Sequence, residues 1–128
     1  MKPRETALRL KRFEAEEKAR KVAELELMIR EFEMIASDLD RQVRVEEERT
    51  GIKDSAHFSY STFAKSASAR RDNLRSSADE LRLKLEAAVR ERDEAAEQLT
   101  RALAAEPRDA ERANPRRRVS RHETAGLR

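Results

Sequence analysis

Val22-Ala23-Glu24-Leu25-Glu26-Leu27-Met28-Ile29-Arg30-Glu31-Phe32-Glu33-Met34-Ile35-Ala36-Ser37-Asp38-Leu39-Asp40-Arg41-Gln42-Val43 is the stretch whose reading decides the fold. Every seventh residue from Val22 is apolar (Ile29, Ala36, Val43), and a companion series, Leu25, Phe32 and Leu39, follows three residues behind each. Apolar residues spaced alternately by three and four form one narrow stripe on an α-helix, the seam of a coiled coil. Toward the N-terminus Leu8 and Ala15 continue the first series, but the companion positions become Lys11 and Lys18, and beyond Val43 the next is Glu46. The seam is therefore expected to be strongest between Val22 and Val43.

The boundaries of this helix follow from local chemistry. Pro3 suits the first helical position, where its missing N–H has no intrahelical partner to lose. Gly51 provides the stop, because glycine readily takes the left-handed conformation that ends a helix. The first helix is placed at about 3–49, a turn at 50–60 and a second helix at about 61–105. The second helix repeats the pattern with Tyr60, Ala67, Leu74, Leu81, Ala88, Ala95 and Ala102, beside Ala64, Arg71, Ala78, Leu85, Arg92 and Leu99. Alanine dominates, which lets a facing helix approach closely. Serines 61, 66, 68, 76 and 77 lower intrinsic helicity, so this part depends on packing.

If the second helix folds back, residues whose numbers total about 110 face one another. Ile29 then meets Leu81, Leu25 meets Leu85, Phe32 meets Ala78 and Ala36 meets Leu74, so that large meets small. The same rule sets Lys18 against Arg92, an unfavourable layer unless acids intervene. A firm half near the turn and a looser half near the termini are expected. The fold class is all-α, an antiparallel coiled-coil hairpin; two chains pairing as a dimer are the competing arrangement.

Composition narrows the function classes. Charged residues make up 43% and aromatics 4% of the 128 residues, too few large apolar side chains for a broad globular core. Only two glycines, Gly51 and Gly126, are present, so no glycine-rich phosphate cradle can be built. His57 and His122 are the sole histidines and there is no cysteine, which leaves no nucleophile–base constellation, no disulfide and no zinc ligand set. No enzymatic activity, cofactor, metal or small-molecule substrate is expected. No segment approaches the ~18 apolar residues of a membrane span, and the opening residues lack a secretory apolar run. The chain is expected to be soluble and cytoplasmic, with any membrane association peripheral and through a partner.

The net charge of +3 is uneven. Residues 1–105 hold 22 basic and 22 acidic side chains, whereas 106–128 hold seven arginines and four acids. Pro107, Asn114-Pro115, Gly126 and Arg116-Arg117-Arg118 read as a disordered basic tail. Arg116-Arg117-Arg118-Val119-Ser120 has the form of a basophilic kinase site and of a phosphate-contact patch; a solvated tail without function is the plainer reading. Nucleic-acid binding would have to act through this tail, since the remainder is neutral.

The partner-binding candidates cluster at the turn. His57, Phe58, Tyr60 and Phe63 bring three of five aromatics within six residues. They either plug the tip of the hairpin or stay exposed as anchors, since aromatic side chains carry much interface energy. Arg70, Arg71 and Asn73 follow; Arg71 occupies a seam position, either snorkelling from it or facing a partner.

Several of these residues carry a resemblance. Arg4-Glu5-Thr6-Ala7-Leu8-Arg9-Leu10-Lys11-Arg12-Phe13 and Lys18-Ala19-Arg20-Lys21-Val22-Ala23 resemble the N-terminal helix of the alphaproteobacterial FliJ family of flagellar type III export stalk proteins. The similarity continues at Glu48-Arg49-Thr50-Gly51-Ile52-Lys53-Asp54, Ala56-His57-Phe58 and Arg70-Arg71-Asp72-Asn73-Leu74, and covers about residues 4–100. The turn and the Arg-Arg-Asp-Asn-Leu run are moderately specific; the heptads alone match many coiled coils. The resemblance implies an antiparallel two-helix coiled coil without catalytic residues. It implies a link between the hexameric export ATPase and the cytoplasmic domain of the membrane export gate, with export chaperones as further partners. It also implies a role in flagellum biogenesis and motility, at the inner membrane of the flagellar base. A generic coiled-coil scaffold or homodimer is the alternative.

Overall fold

The computed structural model describes residues 2–113. Two helices, α1 (Pro3–Thr50) and α2 (Thr62–Ala113), pack against each other as an all-α hairpin. The residues divide into two compact units, one spanning Ala19–Arg90 and the other formed by the segments up to Lys18 and from Glu91 onward.

The Ala19–Arg90 unit contains the turn and the apolar core. Val22, Leu25, Ile29, Leu81 and Ala88 form one buried cluster, flanked by Phe32, Leu85 and Val89. Leu39, Val43, Ala64 and Ala67 form a second, flanked by Tyr60 and Leu74. The buried pair Ala36 and Ala78 lies between them in sequence, one on each helix of the hairpin. Two of the expected pairings fall within one cluster, Ile29 with Leu81 and Leu25 with Leu85, whereas Leu74, expected opposite Ala36, flanks the second cluster beside Leu39 and Val43. Non-directional burial of two complementary stripes is the main stabilising term here.

In the other unit no described side chain is fully buried, and Leu8, Ala15, Ala95 and Leu99 are half-buried. Polar contacts join its helices instead. Lys11 Nζ donates to Gln98 Oε1 at 3.1 Å, Lys18 Nζ pairs with Glu91 at 3.2 Å, and Arg4 reaches the Ala105 carbonyl at 3.5 Å. Glu91 and Asp93 supply the acids that the Lys18–Arg92 layer requires; Asp93 sits 3.1 Å from Arg92. Exposed pairs of this kind contribute about 0–1 kcal/mol each. The difference between the units thus follows from Lys11, Lys18 and Arg92 occupying seam positions.

α2 continues past the expected end at residue 105, through Pro107, to Ala113. Proline removes one donor from the ladder, but Ala110-Glu111-Arg112-Ala113 are strong helix formers that carry the helix beyond it. The rest of the expected tail, 114–128, lies outside the described residues.

The turn at 51–61 is built from short-range bonds. Gly51 adopts φ +75° and donates to the Glu47 carbonyl at 2.8 Å, closing α1 with a left-handed cap. Asp54 Oδ1 accepts from the Ala56 amide at 3.0 Å, an Asx turn. Ser61 caps α2: its Oγ accepts from the Ala64 amide at 3.2 Å, and its carbonyl accepts from Lys65. A Cβ at position 51 would meet nothing within 4 Å, so a substitution there is opposed by backbone strain alone. Gly51→Val is expected to destabilise the chain by about 1–2 kcal/mol, and Gly51→Asn by clearly less, in urea denaturation followed by circular dichroism.

Candidate partner-binding site

The turn aromatics have separate fates. Tyr60 is half-buried against the second apolar cluster, and its hydroxyl donates to Glu47 Oε2 at 3.0 Å. Burial, reinforced by the Glu47 carboxylate, pushes its phenol above the ordinary value. Phe58 is 95% exposed, and Phe63, in the first turn of α2, is 56% exposed. The His57 ring stacks on Phe58 with centroids 4.7 Å apart. His57 Nδ1 also accepts from the Ser59 amide at 3.0 Å, which fixes the ring over the turn. Phe58 is thereby held outward on a short, hydrogen-bonded loop, at little entropic cost for a partner to engage.

Arg71 lies within the hairpin. Its guanidinium donates to Asp40 at 2.7 Å across the helices and to Asp72 at 3.1 Å beside it, with only 20% of its side chain exposed. Asp40 is held below its ordinary value of 3.8 by hydrogen bonds from Arg44 and then from Arg71. Burial opposes the charge on Arg71, but Asp72 and Asp40 outweigh it and the net shift is upward. Arg71 is therefore a cross-helix tie in the layer beside Leu39. Arg70 and Asn73 are exposed on the next turns of α2.

Because the folded Asp40 binds its proton less readily than the unfolded one, its stabilising contribution is complete above the ordinary carboxylate range. That contribution is lost as pH falls through the lowered folded value. Wild type is expected to exceed Asp40→Asn by about 1 kcal/mol near neutral pH. The gap should begin to narrow below about pH 4 and close as pH passes below the lowered folded value, as read from urea midpoints across a pH series. A gap that persists at the acid end would show that the carboxylate charge is not what Arg71 and Arg44 hold.

Two residues outside the sequence-derived candidates organise the turn. Glu46 accepts from Arg49 and from Ser61 Oγ, the latter at 3.0 Å, and so joins the end of α1 to the start of α2. These bonds, Arg49 first and Ser61 second, hold Glu46 below the ordinary carboxylate range. Glu47 likewise ties the end of α1 to the turn, by accepting from the Tyr60 hydroxyl. Acids in the last turn of a helix oppose its dipole, and that misplacement was the available sign that they serve a tertiary contact.

The surface offers open grooves. One is lined by Met34, Ile35, Asp38, Arg41 and Arg44; another lies over Ala36 and Ala78 between Glu33, Arg75 and Arg82. Among the described residues no group of three His, Asp or Glu is arranged to hold a metal, and no helix is long and apolar enough to cross a membrane. Broad open surfaces with exposed aromatics, Phe58 above all, suit a macromolecular partner better than an enclosed ligand. No family model matches the chain, and no curated protein or solved structure is significantly similar to it.

Proposed function

We propose that the chain is a non-enzymatic coupling protein of the flagellar type III export apparatus. In this reading it links the export ATPase hexamer to the cytoplasmic domain of the membrane export gate. It supports flagellum assembly and motility from a cytoplasmic position held peripherally at the inner membrane, and export chaperones are further partners. The residues up to Lys18 and from Glu91 onward serve the ATPase ring, and the surface nearer the turn serves the gate.

One observation carries the reading. The runs that resemble the FliJ family, 48–54, 56–58 and 70–74, coincide with the hydrogen-bonded turn and the first turns of α2. Gly51, Asp54 and His57 each make a bond that shapes the turn, and Phe58 projects from it. The half-buried, polar-laced unit formed by the terminal segments further supports a role in contacting another protein there, because it holds least of its surface against itself.

Deletion of the gene in its host tests the proposal. The expected result is loss of swimming and a fall in exported flagellar protein of about tenfold or more; normal export would contradict it. In a pull-down with purified export ATPase and gate cytoplasmic domain, Phe58→Ala should weaken capture while helicity and thermal midpoint stay unchanged. Tyr60→Ala should instead lower the midpoint, since its ring packs on the core.

A further inference from the structure

Glu31 is unusual among the acids of α1. On a helix a carboxylate finds a base three or four residues away, and α1 does so at Asp38 with Arg41, Asp40 with Arg44 and Glu46 with Arg49. At those four spacings Glu31 has Leu27, Met28, Met34 and Ile35. It makes no hydrogen bond or ion pair with the described residues. All four neighbours are exposed, Met34 at 71% and Leu27 at 50%. The outer face of a two-helix hairpin is ordinarily polar, yet here a carboxylate stands inside a frame of four large apolar side chains. The frame repeats after seven residues, Leu27 with Met34 and Met28 with Ile35, which is the two-turn repeat another helix presents when it lies alongside.

The charges identify the occupant. In a second copy, a stagger that brings Lys21 or Arg41 to Glu31 takes the apolar frames out of register. A copy that matches the four apolar side chains to their own counterparts, antiparallel about Glu31, would set Glu31 against Glu31, Glu24 against Asp38 and Lys21 against Arg41; an in-register parallel copy would set every charge against its own kind. Such pairings cost affinity. A basic side chain has the opposite fit. Its ammonium or guanidinium meets the Glu31 carboxylate, and its methylene stem lies on the surrounding apolar surface. We infer that the Leu27–Ile35 face of α1 docks an amphipathic helix of a protein partner, one that presents a single Lys or Arg framed by aliphatic side chains one turn before and after. This goes beyond the export reading and does not depend on it: export in a deletion strain tests that reading, and the binding experiment below tests this one.

Two designed amphipathic helical peptides serve as probes, identical except for a central Arg or Glu framed by leucines. They are titrated against the full chain by fluorescence anisotropy. The Arg peptide is expected to bind at least ~10-fold more tightly than the Glu peptide. Glu31→Lys should reverse that order, and Met34→Ser should weaken the Arg peptide several-fold. Circular dichroism of both variants should match wild type, because neither side chain contributes to the core. Equal binding of the two peptides, binding of neither, an order that survives Glu31→Lys, or indifference to Met34→Ser would overturn the inference. So would a wild-type dimer in sedimentation that Met34→Ser dissociates, because the face would then belong to a second copy.

Discussion

Ile29→Asp is expected to abolish cooperative unfolding of the Ala19–Arg90 unit, and Ile29→Ala to destabilise it by about 3 kcal/mol. Ile29 is buried in the cluster with Val22, Leu25, Leu81 and Ala88, the layer where the two apolar stripes meet. A carboxylate placed there finds no basic partner in that cluster and must either be desolvated or part the helices. The contrast with Leu27, two residues earlier on the exposed face, makes the experiment specific. Leu27→Ala should change stability by no more than about 0.5 kcal/mol. Urea denaturation followed by far-ultraviolet circular dichroism reads both. Similar costs for Ile29→Ala and Leu27→Ala would mean that the stripe is not what holds the helices together.

The second large effect is expected at Ala64, which has no exposed surface and packs with Leu39, Val43 and Ala67. Its small side chain lets the start of α2 approach α1 just after the Ser61 cap. Ala64→Leu adds volume where none is free and should destabilise by about 1–3 kcal/mol. Ala69→Leu, on an exposed face of the same helix, should be close to neutral, since leucine is itself a good helix former. If Ala64→Leu were also neutral, the helices near the turn would stand further apart than the burial of Ala64 allows.

Much of the fold was legible because a heptad seam is a one-dimensional code. Val22, Leu25, Ile29, Ala36, Leu39 and Val43 are all buried as the spacing predicts, and Gly51 marks the stop that its positive φ requires. The end of α2 was less legible. Pro107 reads as a terminator, yet a helix already propagating can cross one missing donor when good helix formers follow.

The site was only partly legible. Aromatic clustering at the turn is visible in sequence, but whether a ring faces in or out depends on the path of a short loop. Tyr60 turns inward because Glu47 offers its hydroxyl a partner, while Phe58 has only the His57 ring beside it. Arg71 at a seam position announces that an acid must lie opposite, yet only the folded pairing identifies Asp40. The apolar frame around Glu31 is masked by the seam, because Leu27, Met28, Met34 and Ile35 fall between the seam positions of the same hydrophobic run.

That two thin apolar stripes of one chain shelter each other is tested most directly by a distance across the Ala19–Arg90 unit. The chain has no cysteine, so Ser37→Cys with Ser76→Cys provides one pair of spin-label sites, both exposed and on facing helices. Helix axes in contact lie about 8–10 Å apart, and with label linkers the expected separation is on the order of 20 Å. A narrow distribution at that distance, unchanged when labelled chain is diluted into excess unlabelled chain, is the predicted result. A signal that disappears on dilution, or a broad distribution at much longer distance, would contradict it.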